Sequence, residues 1–429
     1  MGARAWSVIV TLLLGLSVVS PVAVAAQSPN MVMGAPDSAK NESSVRLMAG
    51  ASAVLLGTRA SPAINNKSFT EGYLTQPMLM GTATFPRHSV ELAATLNLEG
   101  ITLQRGELNA GMNGEGYVDR RHPHTFIHEL VATWKRNAGD DAVVSVAAGK
   151  GFVPFGSDDP MSRPLLKYPI NHHLAQILER ALVIGAASYG PVLLEVARFN
   201  GDEPESPSDL PNSRRLFDSW SGRATARIRE KAEIQTSFAS VVSPEVSAGG
   251  GLNQKKWSAS GRYESGGLYG FAEYAHTQEL EASRDAFAFA TMLAEGSVSR
   301  HGAMLAARVE RTERPEEERL INPFRTPRPA SDLSILGRTR WTLLTVNASR
   351  SFDVSRSRVA PFVEVGRAKA ASIGTLSVFD PKGFYGSDVM WSVSIGLRLG
   401  IGMMHHRMGK YGAALPRGAV NMRDMDMNQ

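Results

Sequence analysis

The stretch that most narrows the possible folds is residues 389–401, V-M-W-S-V-S-I-G-L-R-L-G-I. Its odd positions, Val389, Trp391, Val393, Ile395, Leu397, Leu399 and Ile401, are all apolar. Its even positions, Met390, Ser392, Ser394, Gly396, Arg398 and Gly400, are mostly small or polar. Successive side chains of an extended strand point to opposite faces, so this strand has one apolar face and one small or polar face. Soluble strands run to about 5–6 residues, whereas a tilted strand crossing a bilayer needs roughly 9–11. A lone strand in lipid leaves its backbone donors and acceptors unpaired, so the pattern implies a closed barrel.

The start of the chain bears on compartment. Arg4, an apolar run over 6–19 and the small residues Ala23-Val24-Ala25 read as a secretory signal peptide over 1–26. Residues 27–44 are polar and irregular, a flexible periplasmic lead-in to a transmembrane barrel over 45–401, with a Met/His-rich C-terminal tail over 402–429. No later run approaches the roughly 18 apolar residues of a helical span. Mean hydropathy is −0.14 with 43% hydrophobic residues, as expected when half of all strand positions face a polar interior. The chain has no cysteine, so its stability owes nothing to disulfides. Its net charge of +5 comes without a lysine-rich arm, and nucleic-acid binding is not expected.

Extended segments recur along the chain. They are expected at 45–57, 73–85, 88–98, 126–136, 142–150, 181–188, 191–199, 219–230, 232–242, 255–265, 268–278, 285–295, 300–311, 339–351, 357–369 and 389–401. In 219–228, Trp220, Gly222, Ala224, Ala226 and Ile228 share one face and Arg223, Thr225 and Arg227 the other. Short links at 86–87, 137–141, 189–190, 266–267, 296–299 and 353–356 alternate with long ones at 58–72, 99–125, 151–180, 200–218, 243–254, 312–338 and 370–388. Such alternation marks an up-and-down antiparallel barrel with short periplasmic turns and long external loops. The predicted class is all-β, with about 16 strands.

Residues 119–129, D-R-R-H-P-H-T-F-I-H-E, are the most unusual run. His122 and His124, with His172 and His173, are candidate ligands for a transition metal, imidazole suiting zinc, copper or nickel. Pore lining or loop anchoring is the plainer expectation for the same residues and for Asp119, Arg120 and Arg121. The loop over 151–176 carries Arg163 and is expected to fold into the lumen and narrow it through charge. Arg223, Arg227, Arg229, Arg262, Arg308, Arg367 and Arg398 are expected to point inward, because each costs on the order of 2–4 kcal/mol on the lipid face near the midplane. They outnumber the interior acids Glu264, Glu310 and Glu364, which predicts a mild anion preference. The acidic runs 202–205 and 316–318 read as solvated loop tips. Met403, Met404, His405 and His406 form a second candidate metal cluster of the kind that suits copper(I), set against a flexible tail. Residues 249–256 lack the G-K-[ST] ending of a phosphate loop, and no G-x-S-x-G elbow appears, so no cofactor and no catalytic residue is expected.

With the alternating last strand, the link pattern and the leader, the chain resembles Gram-negative general and substrate-selective porins over the whole mature length. The D-R-R-H-P-H stretch and the F-N-G at Phe199, Asn200 and Gly201 resemble a group of porin-like outer-membrane proteins. The resemblance implies a bacterial outer-membrane location and passive diffusion of small hydrophilic solutes. Implied partners are outer-membrane lipids and lipopolysaccharide, the barrel-assembly machinery and, as for many porins, further copies of the chain. One departure stands out: porins end on an aromatic residue of the last strand, whereas 28 residues follow Ile401 here. Either Tyr411 lies near the end of an extended strand or the assembly signal is internal. Two other classes remain open, an outer-membrane lipid hydrolase using His122 or His124 oriented by Asp119, and a copper- or zinc-transporting barrel.

Overall fold

The computed structural model describes residues 45–61, 68–103, 124–157, 159–166, 169, 172–204, 206–229, 231–317, 335–374, 379–402 and 408–415. The leader, the lead-in to residue 44 and most of the tail therefore lie outside the described residues.

The described residues form one closed antiparallel sheet of sixteen strands. In chain order these are β1 (Arg46–Ser61), β2 (Phe69–Phe85), β3 (Val90–Asn97), β4 (Ile127–Asn137), β5 (Ala142–Gly151), β6 (Arg180–Tyr189), β7 (Val192–Phe199) and β8 (Ser219–Ile228). They continue as β9 (Ala232–Val241), β10 (Asn253–Ser265), β11 (Leu268–Glu281), β12 (Arg284–Arg300), β13 (Ala303–Glu317), β14 (Ile335–Arg350, prolonged by Phe352–Val354), β15 (Ser357–Ile373) and β16 (Val389–Gly402). Each strand pairs with its chain neighbours, and β16 pairs with β1 from Gly50 opposite Gly402 to Ser61 opposite Trp391. That last ladder removes the two free edges an open sheet would present, so every strand has two partners.

Alternation is what closes this sheet with lipid outside. On β16, Trp391, Val393, Ile395 and Leu397 are exposed, while Met390, Ser392 and Ser394 are buried on the inner face. On β8 the split is the same, with Trp220 and Ile228 outward and Ser219, Ser221, Arg223 and Thr225 inward. Aromatic rings mark both rims of the outer face. Trp220 against Phe238, Trp257 against Tyr274, and Trp391 lie at the loop end, and Trp134, Tyr189 and Tyr263 at the turn end. Two aromatic girdles flanking an apolar band are the pattern that a barrel surrounded by lipid presents.

The links differ from expectation at two places. Residues 296–299 are not a turn but part of β12, where Gly296 pairs with Gly270 and Ala307. The turn lies at His301-Gly302, both at positive φ (50° and 76°), the mirror-image geometry that matches strand twist. On the loop side β11 and β12 are joined by only Ala282 and Ser283, since both strands run beyond their neighbours. Glu316 and Glu317 belong to β13 rather than to a loop tip. Asp202 is not solvated either. It is buried and accepts from the Asn200 side chain, whose Oδ1 takes the Ala181 N–H at the end of the β6–β7 hairpin.

Candidate functional site

The two halves of the lumen differ in chemistry. Along β5–β9 the inner face carries an apolar cluster, Ala147, Leu182, Ile184, Ala197, Phe199, Ala239 and Val241, interrupted by the Arg223–Glu195 pair and by hydroxyl and amide side chains such as Ser145, Thr225, Gln235 and Ser237. The cluster is covered by Val153, Phe155 and Ile177 from the β5–β6 loop and by Tyr411 from beyond the last strand. Across the lumen, β11–β15 present Glu273, Thr277, Glu295, Arg308, Glu310, Thr312, Arg314, Asn347 and Glu364.

The described residues of the β5–β6 loop, 152–157, 159–166, 169 and 172–179, lie inside the barrel and are anchored to the wall at several points. The Gly156 N–H donates to Ser237 on β9 at 2.8 Å, Ser157 bonds Glu273 on β11, and the Leu166 N–H donates to Glu364 on β15 at 2.8 Å. The Arg163 guanidinium lies 3.9 Å from both Glu273 and Glu295 and 4.5 Å from the Phe271 ring centre. Arg308 adds contacts of 3.6 Å to Glu295 and 3.8 Å to Glu310. Gly156 (φ +68°) passes so close to the Ala175 carbonyl that no Cβ would fit. The loop thus narrows the lumen and places a guanidinium–carboxylate row along its polar side.

A histidine–carboxylate knot ties two loops, β3–β4 and β5–β6, to the wall. Between Thr95 and Leu96 the β3–β4 register slips, so Glu129 pairs with Thr95 and Ile127 with Leu96, leaving His128 as the extra residue of a bulge. His128 and Glu129 are both buried as a result. His128 Nδ1 lies 2.6 Å from Glu179, and the Thr125 N–H donates to that same carboxylate at 2.9 Å. His124 Nδ1 lies 2.8 Å from Glu99, which also accepts from the Thr75 hydroxyl at 2.7 Å and the Gln76 N–H at 2.8 Å. The two imidazole centres are 5.1 Å apart. Burial alone would push the His124 imidazole down, but the bonded Glu99 carboxylate prevails and raises it to about 9. Glu99 works against its own burial in the same way, with His124 holding it at about 2. Glu179 is likewise held at about 2, chiefly by His128. His124 and Glu99 therefore form a fixed ion pair, which anchors its loop at neutral pH rather than trading protons.

Of the residues singled out in sequence, Asp119, Arg120, Arg121 and His122 lie outside the described residues, as do Met403, Met404, His405 and His406. His172 and His173 open a short helix (His172–Ala175) inside the β5–β6 loop. Arg223, Arg227, Arg262, Arg308 and Arg398 lie on the inner face, and Arg163 faces them from the loop. Arg223 is fully engaged, with two bonds to Glu195 at 2.6 and 2.7 Å. Two arginines do not point inward. Arg229 sits in the β8–β9 turn at positive φ, and Arg367 is on the outer face of β15 with its guanidinium 5.6 Å from the Trp391 ring centre. Arg367 lies at the girdle rather than at midplane, where a long side chain reaches the interface and the lipid penalty falls away. Sequence reasoning gave no role to Glu99, Glu129, Glu179, Glu195, Glu273 and Glu295, and it offered Tyr411 only as a candidate end of the last strand.

Tyr411 is not in a strand. Residues 408–415 lie against the inner wall: the Tyr411 hydroxyl donates to Glu129 at 2.6 Å and accepts from the Phe152 N–H at 3.1 Å. The Ala413 N–H donates to Ser145 at 2.9 Å, and Lys410 donates to Gln235 at 3.1 Å. The expected flexible tail is therefore ordered packing over these eight residues.

No protein-family model matches the chain, and no curated protein sequence matches it. Among solved structures, the anion-selective porin from Comamonas acidovorans overlays with a TM-score of 0.51 at 10% identity, covering 83% of this chain and 99% of that one. OmpT, an outer membrane protein of Vibrio cholerae, matches at TM-score 0.47 and 10% identity over 84% of this chain and 99% of its own. OprB of Pseudomonas putida matches at 0.44 and 11% over 83% and 94%. At such identity the first overlay speaks to architecture, and the architecture is that of an outer-membrane porin: a closed antiparallel barrel of sixteen strands.

Proposed function

We propose that this protein is an outer-membrane channel for passive diffusion of small hydrophilic solutes. The observation that carries the reading is the barrel itself, apolar and girdled outside and lined on β11–β15 by charged and hydroxyl side chains. A barrel of about eight strands is filled by its own side chains, whereas 16–18 strands leave an aqueous channel. Export and an outer-membrane location are part of the same proposal, because only lipid gives the exposed leucine, valine and tryptophan band a matching solvent.

The finer expectation was a mild anion preference from excess inner-face arginine. Glu195, Glu273 and Glu295 lie within 4 Å of Arg223, Arg163 and Arg308, which offsets much of that excess. The proposal is therefore a weakly anion-preferring channel. Reconstitution in planar bilayers tests it: discrete conductance steps with a small anion-side reversal potential are expected. No conductance, or strong cation selectivity, refutes it.

A lipid hydrolase is not favoured, since its histidine–carboxylate pair must reach the bilayer edge. His124 and His128 are buried inside with Glu99 and Glu179. A metal-transporting barrel draws on residues of which only His124 has a described side chain, and that imidazole already bonds Glu99. Zinc or copper(I) added as a blocker in the same bilayer should leave the conductance unchanged.

A further inference from the structure

We infer that residues 408–415 fill part of the lumen against β4–β9 and so set the largest solute that passes. The inference rests on the channel reading above. It deepens that reading by naming what limits size.

Three observations carry it. First, the segment is seated rather than draped. Met408 packs with Met78, Met80 and Phe152, and Ala413 and Ala414 pack with Ala186 and Leu193. Arg223 and Arg227, on the inner face of β8, donate to the carbonyls of Gly409 and Ala414, so wall charges hold its backbone.

Second, the sequence fits the seat closely. Gly412 has φ +55°, and a Cβ there would lie 2.4 Å from Ser145 Oγ and 2.9 Å from Thr133 Cγ2. Gly409 has φ +82° and would meet Phe152 Cβ at 2.9 Å. Only glycine satisfies both the backbone conformation and the space at these two positions.

Third, the path has a direction. Tyr411 stands beside Gly151 and Glu129, at the loop ends of β5 and β4. Ala414 reaches Arg227, next to the β8–β9 turn, and Ala413 bonds Ser145 farther down β5. The last strand ends at Gly402, also on the turn side. The segment therefore runs from mid-lumen back toward the mouth where β16 ends. It lies on the apolar half, opposite the charged row of Arg163 and Arg308.

A single pass of backbone with its side chains, here turning at Gly409 and in a 3-10 turn over Gly412–Ala414, obstructs roughly 5 by 10 Å of cross-section. Removing it should raise conductance roughly 1.5- to 2-fold and raise the size of polyethylene glycol excluded from the pore. The experiment compares the intact chain with one ending at Gly402, both refolded and checked for heat-modifiable migration as closed barrels. Higher conductance and a larger polymer cut-off in the shortened chain are expected. Equal conductance and equal cut-off overturn the inference and leave the channel reading standing. Silence of both chains sinks the channel reading itself. If the shortened chain does not assemble, full-length Gly412→Val, which cannot seat the segment, is read by the same two measurements and the same criteria.

Discussion

Replacing Arg223 by methionine tests whether the apolar half of the lumen is dry. The guanidinium is about 2% exposed and makes two bonds to Glu195, at 2.6 and 2.7 Å. It also reaches the carbonyl of Gly156 at 3.2 Å in the loop and that of Gly409 at 3.4 Å in the terminal segment. Methionine keeps the volume and removes every one of these bonds, leaving Glu195 charged, buried and unpaired. Breaking a buried pair from one side costs about 3–5 kcal/mol, while a pair standing in water contributes only about 0–1 kcal/mol. The two pictures of this half-lumen, packed or flooded, therefore differ by several-fold in one measurable number. Arg223→Met is expected to lose about 3–5 kcal/mol in reversible urea unfolding from phospholipid vesicles. The double variant Arg223→Met/Glu195→Leu should recover most of that loss, because both charges leave together. A single-variant cost below about 1 kcal/mol, or a double variant no better than the single, would refute the packed lumen.

Three further outcomes follow from named contacts. Val196→Arg, on the outer face midway along β7, should cost about 2–4 kcal/mol in the same unfolding assay; a neutral result would mean that face does not meet lipid. The raised His124 contributes stability that is complete below its ordinary 6.5 and lost as pH climbs through about 9, while the lowered Glu99 contributes above 4.5 and is lost as pH falls through about 2. Stability should therefore decline above pH about 6.5 in the parent and be flatter there in His124→Gln; parallel profiles would count against the ion pair. A Cβ at Gly396 would lie 2.2 Å from the Leu55 carbonyl and 2.7 Å from the Phe362 ring, so Gly396→Val should disrupt the β16–β1 seam and cut the heat-modifiable fraction after refolding, an overpacking cost of about 1–3 kcal/mol or more.

The strands were legible because lipid outside and a built interior force a strict two-residue period over stretches longer than soluble strands use. The exceptions each have a local cause. Residues 126–136 alternate poorly in sequence because the bulge at His128 turns two consecutive side chains inward, and a period-two template cannot represent an extra residue. Gly296 reads as a breaker, yet as a strand glycine it only leaves an unfilled spot on the outer face between Gly270 and Ala307. Inward placement of Arg367 rests on a midplane penalty that does not apply opposite Trp391 in the loop-side girdle. The glutamates were hidden for another reason. Glu99, Glu179 and Glu129 lie far apart in the chain and meet only through loops that fold back into the barrel, so no spacing announces them.

The filled half of the lumen did leave a trace, and it lies in β6 and β7. Arg180–Tyr189 reads R-A-L-V-I-G-A-A-S-Y and Val192–Phe199 reads V-L-L-E-V-A-R-F, with almost no polar alternation. Near-continuous apolar runs belong to strands buried on both faces. The outer face meets lipid, so the inner face must meet protein. Against open water Leu182, Ile184, Leu193 and Phe199 would each forgo roughly 1.5–3 kcal/mol of burial. In β13, by contrast, Ala306, Arg308, Glu310, Thr312 and Arg314 face in while Leu305 and Val309 face out, and these inner side chains are buried through charge pairs such as Arg308 with Glu295 and Glu310. The number of apolar faces on a strand thus distinguishes a wall covered through apolar contacts from one covered through charge pairs. By that criterion the β5–β6 loop and residues 408–415 are the missing partners of β6 and β7.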